Sequence, residues 1–278
     1  GGVVTVELKR ELGDWVSVRV TNRGPQIPAG ELPHIFEPLY TGGDVKQESI
    51  AEREQRYVSL LNGSITDGVI VVTPAAPTFA SASPVVTIDP NTQGPDYPTV
   101  IATNRSGALA VMRYLIDLGH RRIGFIKGRS DLVSAMQRQQ GYEDGLREAG
   151  IAQDVALVQE GDYTEETGFE STQRLLALPN PPTAIFAAND QSAIGAIRAI
   201  QQAGLRVPED ISVVGFDNTP GTAHLSPGLT TVDQSIEKMG YVATEMLIDL
   251  IQGEPLESNQ YQIPTQLIVR DSCHAIRV

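Results

Sequence analysis

The chain has 278 residues, 41% of them hydrophobic, and a formal net charge of -13. That acidity excludes a broad phosphate-binding surface, because contacts to nucleic acid take clustered Lys and Arg. No run reaches the roughly 18 consecutive apolar residues of a membrane span, and the one cysteine, Cys273, excludes an internal disulfide.

A chain of this length is at the size where cores divide into two lobes. Its first residues lack a basic start and an apolar secretory core, so the expected location is a reducing cytoplasm. The opening runs, "VVTVELKR" and "WVSVRVTNRG", alternate apolar and polar residues around "LGD". They predict an antiparallel hairpin with one wet face.

From Asp44 the grammar changes. "ESIAEREQRYVSLLNGSI" sets Ile50, Tyr57, Leu60 and Leu61 among charges and predicts an amphipathic helix. The wholly apolar "GVIVVTP" follows, as a strand buried on both faces would read. The unit then repeats: strand "PVVTID", helix "SGALAVMRYLIDLG", strand "RIGFIKG", helix "QRQQGYEDGLREAG", strand "DVALVQEG", helix "TGFESTQRLLAL", strand "AIFAAND", helix "QSAIGAIRAIQQAG", strand "ISVVGFD", helix "SIEKMGYVATEMLIDLIQG" and a last extended run "QLIVRD". Such alternation predicts a doubly wound α/β architecture, with Gly119, Gly150, Gly204 and Gly253 as left-handed helix stops. Ligands of such sheets bind beyond the carboxyl ends of the strands, which selects Asp89, Asn189, Asp190 and Asp217.

The motifs "DGVIVVTP", "LGHRRIGFIKG", "RQQGY", "FAANDQSAIGAIRAIQQAGLRVPEDISVVGFDN", "LSPGLTTVDQSIEKMG" and "IPTQLIVRDSC" stand in the order found in LacI/GalR-type bacterial transcription regulators. Residues 44–278 resemble the effector-binding domain of that family. The resemblance implies a two-lobed, periplasmic-binding-protein-like fold with three strands crossing a hinge. It places the N-lobe at residues 1–102 and 232–263 and the C-lobe at 103–231 and 264–278. It also implies a homodimer joined largely through N-lobe helices, here including Gln55 to Leu61. Operator DNA would be reached only through a helix-turn-helix not seen in this sequence.

The same resemblance marks ligand positions, each with its own chemistry. Arg138 in "RQQGY" supplies a planar five-donor fork for hydroxyls, a carboxylate or a phosphate. Asn189 offers donor and acceptor, and Asp217 accepts two hydroxyl hydrogens. Asp190 reads instead as the cap of a helix beginning at Gln191. Asp89 is either a ligand contact or turn chemistry before Pro90, and Tyr163 either stacks on a ring or packs under a loop. Ser134 adds one hydroxyl. No His joins these carboxylates, no Ser stands in a nucleophile elbow, and no cluster has metal-ligand spacing, so binding without catalysis, cofactor or metal is expected.

Residues 2–43 carry a second likeness. "VRVTNRGPQIP" and "LPHIFEPLYTGG" resemble part of the ATP-binding domain of sensor histidine kinases. Asn22 stands where that family has its adenine-binding Asp, and Gln26 replaces a glycine of its box, so ATP binding is not expected to transfer. The segment occupies the place of the regulator domain's opening strand, helix and strand. A chimera is the implied origin: a kinase-like ββα segment, residues 1–43, built into the N-lobe, with weakened effector binding. The expected function is sensing of a small metabolite, a sugar or sugar derivative or a purine. The alternative is a periplasmic sugar-binding protein of a transporter.

Overall fold

The computed structural model describes residues 5–10, 16–21, 49–61, 66–91 and 97–276. The chain divides into two compact units, Gly1–Glu48 and Ser49–Val278. In the first, β1 (Thr5–Arg10) and β2 (Val16–Thr21) pair antiparallel, from Thr5 opposite Thr21 to Arg10 opposite Val16. The hairpin expected from alternation is therefore present. The "LGD" link, Asn22, Gln26 and the helix of the expected ββα segment lie outside the described residues.

The second unit holds two parallel sheets. In the first lobe, β3 (Val69–Val72), β4 (Val85–Ile88), β5 (Thr99–Ala102) and β11 (Gln260–Ile263) form a sheet of order β11-β5-β4-β3. Helix α6 (Ile236–Gln252) covers one face by packing Met239, Ala243 and Met246 against Val86, Val100 and Ile263. The other face meets α1 (Ile50–Leu61) through Val58, Phe79 and Val85.

In the second lobe, β6 (Ile123–Ile126), β7 (Val158–Gln159), β8 (Ala184–Ala187) and β9 (Ser212–Val214) pair in the order β7-β6-β8-β9. Every residue of β6, β8 and β9 is buried, as the apolar runs of β6 and β8 predict, and Ser212 of β9 is buried with them. Helices α2 (Asn104–Asp117) and α3 (Val133–Glu148) pack together on the core of Phe125, Tyr142 and Phe186. Helices α4 (Glu165–Leu176) and α5 (Asp190–Gln202) cover the core built on Leu175, Ile185 and Val213. A short antiparallel pair, β10 (Thr231–Asp233) with β12 (Gln266–Ile268), lies beside the end of β9, with parallel bridges from Val214 to Thr230 and from Asp217 to Asp233.

Several expectations shift. The run "DVALVQEG" is a 3-10 turn, Val155–Leu157, followed by only two strand residues. Strands β5, β10 and β11 were not anticipated. β11 reads Gln-Tyr-Gln-Ile, with two exposed glutamines, and hides its strand character behind polarity. The expected helix stops hold: Gly119, Gly150, Gly204 and Gly253 all have positive φ. Among the described residues no helix is long and apolar enough to cross a membrane.

Candidate functional site

The chain passes between the lobes where β5 leads into α2, where β10 leads into α6, and where β11 leads into β12. Two of these crossings are tied together. The Thr103 and Thr265 hydroxyl oxygens lie 2.9 Å apart, and the Thr265 N–H donates to Thr103 Oγ1 at 2.8 Å. Above this hinge, the carboxyl ends of the strands face the cleft.

The backbone at those ends is unusual. The non-glycine residues of positive φ among the described residues are Thr73, Asp89, Tyr163, Asp217, Asn218 and Ser235. Each follows a strand end by a few residues, and three of them are expected ligand positions. Left-handed backbone at Asp89 (49°), Tyr163 (75°) and Asp217 (113°) costs free energy that the surrounding structure must hold, and such strain gathers at binding sites.

Arg138 organises the cluster. It lies on α3, 4% exposed, with its guanidinium carbon 3.8 Å from the centre of the Phe216 ring. Nε donates to Asn104 Oδ1 at 2.9 Å, and Nη1 donates to Ala188 O at 2.6 Å and to Asp217 Oδ1 at 3.1 Å. Nη2 donates to Gln234 Oε1 at 3.4 Å, and Gln234 Nε2 donates to the same Asp217 oxygen at 2.8 Å. Burial pushes the Asp217 carboxyl up to about 7, with Arg138 pulling the other way and Asp190 and Asp89 adding to the rise.

Asp89 reaches this cluster from β4 of the other lobe. Burial raises its carboxyl above the usual range, while the Ser134 hydroxyl and Arg138 oppose the rise. Tyr163 closes the side. Its ring centre is 5.8 Å from the Arg138 guanidinium carbon, and an added Cβ on Gly128 would overlap the ring. The buried Tyr163 hydroxyl has no hydrogen-bond partner among the described residues, although Arg138, Asp217, Asp89 and Ser134 all act on it.

Asn189 stands beside the cluster but is partly committed. Its Oδ1 accepts from Ser192 N at 3.0 Å as the N-cap of α5, and its Nδ2 donates to Tyr163 O at 2.9 Å. This corrects the expected roles: the cap is Asn189, whose oxygen reaches the third helical N–H, and α5 begins at Asp190. Asp190 is instead a fully buried strut. It accepts from Thr219 N at 2.7 Å and from the Thr231 hydroxyl at 2.6 Å, joining the Asp217 loop to hinge strand β10.

The structure thus brings Asp89, Ser134, Arg138, Tyr163 and Asp217 together, with Asn189 bracing Tyr163. Sequence reading missed Asn104, Phe216 and Gln234. Phe216 alone had a local signal, since it precedes a selected aspartate. Among the described residues no group of three or more His, Cys, Asp or Glu is placed to hold a metal ion. Cys273 is half-buried, its thiol pushed up to about 11 by burial, far from the thiolate a nucleophile needs. The cluster itself is a set of hydrogen-bond donors and acceptors drawn from both lobes.

Known proteins give the same picture. A family model described as periplasmic binding protein-like domain matches residues 112–273, more than half of the chain. A second, for histidine kinase-, DNA gyrase B- and HSP90-like ATPases, matches residues 1–66. The repressor CytR of Escherichia coli K12 is 34% identical over 231 residues, which cover 81% of this chain and 68% of that protein. The transcriptional regulator CelR in complex with cellobiose superposes with a TM-score of 0.73 at 34% identity, over 81% of this chain and 71% of that one. The lac repressor dimer bound to operator and an anti-inducer gives 0.73 at 31% identity, over 82% and 80%. The chain belongs to the periplasmic-binding-protein-like family of LacI/GalR-type transcriptional regulators.

Proposed function

We propose that this chain is the effector-sensing, dimerising domain of a LacI/GalR-type regulator, binding a small sugar-like metabolite between its lobes and reaching operator DNA through a portion outside this sequence. The carrying observation is the cluster of Asp89 from one lobe against Ser134, Arg138 and Asp217 from the other, with the buried Tyr163 hydroxyl unsatisfied. A ligand that bonds to both sides favours the closed arrangement, and closure is the signal passed to the partner subunit.

The test is thermal unfolding against a panel of sugars, sugar derivatives and purines. A ligand at a hundred times its dissociation constant stabilises the folded state by about 2.7 kcal/mol. An effector is expected to raise the midpoint of the wild type and to leave Arg138→Ala and Asp217→Ala unmoved. A ligand that shifts both variants as much as the wild type would place binding elsewhere.

The dimer has its own support. Helix α1 exposes Ile50, Tyr57 and Leu60 at 50%, 46% and 53%. Leu60→Glu is expected to yield monomers by light scattering at micromolar concentration. A variant that stays dimeric would remove α1 from the interface.

The N-terminal residues enter the proposal as a chimeric segment, 1–43, that substitutes for the opening unit of the regulator domain. Slow amide exchange at Val16 to Val20 is expected on this reading, and loop-like exchange there would end it.

A further inference from the structure

We propose that the effector of this cleft is an uncharged molecule bearing adjacent hydroxyls, and that the cleft rejects phosphorylated and carboxylated counterparts. The inference deepens the proposal above and rests on the cleft being the effector site.

An anion is best held by an unpaired cation, and among the described residues the cleft offers none. The Arg138 guanidinium has five N–H groups. Four are engaged, by Asn104, Ala188 O, Asp217 and Gln234. One N–H is left, too few for the two-pronged grip that makes arginine an anion receptor. A phosphate would have to displace Asp217 and leave its carboxylate buried and unmatched.

Arg129, Lys127 and Arg270 also have partners of their own. Arg129 pairs with Asp131 at 2.6 Å, and Lys127 with Glu160 at 2.7 Å. Arg270 donates to Asn218 Oδ1 and to the Leu229 carbonyl, and it faces Asp190. Within the cluster, the carboxyls of Asp89 and Asp217 stand against one guanidinium. Both are already raised by burial, so further negative charge adds to the repulsion between them.

Helix N-termini are the remaining attraction for anions. Here the protein's own groups occupy them. Asn189 accepts from the first turn of α5 and Asp190 opens that turn, while Asp89 stands against Ser134 in the first turn of α3.

The same groups suit a neutral polyol. The carboxylates accept hydroxyl hydrogens, the last Arg138 N–H donates, and the buried Tyr163 hydroxyl lies among them. Adjacent hydroxyls present donor and acceptor together, which matches a carboxylate next to a guanidinium.

The experiment compares matched pairs by calorimetric titration of the full chain: glucose with glucose 6-phosphate and glucuronate, galactose with galacturonate, ribose with ribose 5-phosphate, and adenosine with AMP. The sugar and nucleoside arms separate a free carbohydrate from a base-bearing ribose. The neutral member of at least one pair is expected to bind, and its charged partner at least about 10-fold more weakly. Asp89→Asn, which removes a charge at nearly constant volume, is expected to narrow that gap. Tighter or equal binding of a phosphorylated or carboxylated member, lost in Arg138→Ala, overturns the ligand class and leaves the cleft standing. No binding by any member overturns both. The wild-type comparison needs no variant, so poor folding of Asp89→Asn does not rescue the idea.

Discussion

Asp217 is held in place three times over. Its N–H donates to Val232 O at 2.8 Å, its carboxylate takes Arg138 and Gln234, and its backbone is left-handed. The cost is visible in its carboxyl, which burial lifts to about 7 against an unfolded value near 4. A carboxyl raised on folding stabilises the folded state fully below the unfolded value, and that contribution is lost as pH rises through about 7. His120 works in the opposite sense, since burial lowers its pKa and its contribution is lost only as pH falls below about 6.5. Above pH 6.5 the His120 change is over, and between pH 6.5 and 8 Asp217 should lower stability by roughly 1 kcal/mol, in the same direction as the raised Asp89 and Asp190 carboxyls. Urea midpoints across that range check it. A flat profile in the wild type would mean that Asp217 is already ionised.

Gly128 makes the other residue-scale argument. The Tyr163 ring fills the space where a Cβ would stand. Gly128→Ala is expected to push the ring out of the cleft, weaken effector binding by 10-fold or more, and cost about 1–3 kcal/mol of stability. Titration with the effector, beside a thermal midpoint, separates the two effects. Unchanged affinity would make Tyr163 packing rather than recognition.

At the scale of elements, close approach explains what helix propensity does not. Helix α3 carries Gly141 and Gly145 on the face that meets α2, and an added Cβ at Gly145 would overlap Met112. In an isolated helix Gly→Ala gains about 1 kcal/mol. Here Gly145→Ala is expected to lower stability by about 1–3 kcal/mol, because the overlap outweighs the propensity. A raised unfolding midpoint would show that the helices can separate at little cost.

The elements most legible in the sequence were those whose burial is uniform. Ile123–Ile126 and Ala184–Ala187 are wholly apolar and both faces are covered, as a strand inside a parallel sheet requires. β11 and β10 escaped notice because they are short, partly polar strands stabilised by neighbours far along the chain, Gln260 by Thr99 and Thr231 by Ile268. The site divides the same way. Asp217 and Asn189 could be found because strand ends point at the cleft. Asn104 and Gln234 could not, since they are 34 and 96 residues from Arg138; Asn104 meets it only when α2 packs on α3, and Gln234 only when the hinge is assembled.

At the scale of the whole molecule the question is what sets the balance between open and closed lobes. Of the three crossings, two are joined by the Thr103 and Thr265 hydroxyls, and Thr265 Oγ1 also reaches Thr103 O at 3.2 Å. Asp190 ties the third to the Asp217 loop through Thr231. Effector contact at Asp217 therefore acts on a strand that belongs to the hinge. If the threonine link holds the crossings in register, Thr103→Val removes an acceptor from Thr265 N and leaves that amide unsatisfied, at a cost of about 1–3 kcal/mol. Much of that cost should fall on the closed state, where the crossings must align. Effector affinity is then expected to drop several-fold because the binding-competent fraction shrinks. X-ray scattering should show a larger radius of gyration without effector, and compaction only at higher effector concentration. Equal affinity with a lower unfolding midpoint would make the link a support for folding, with closure governed by the Asp190 strut.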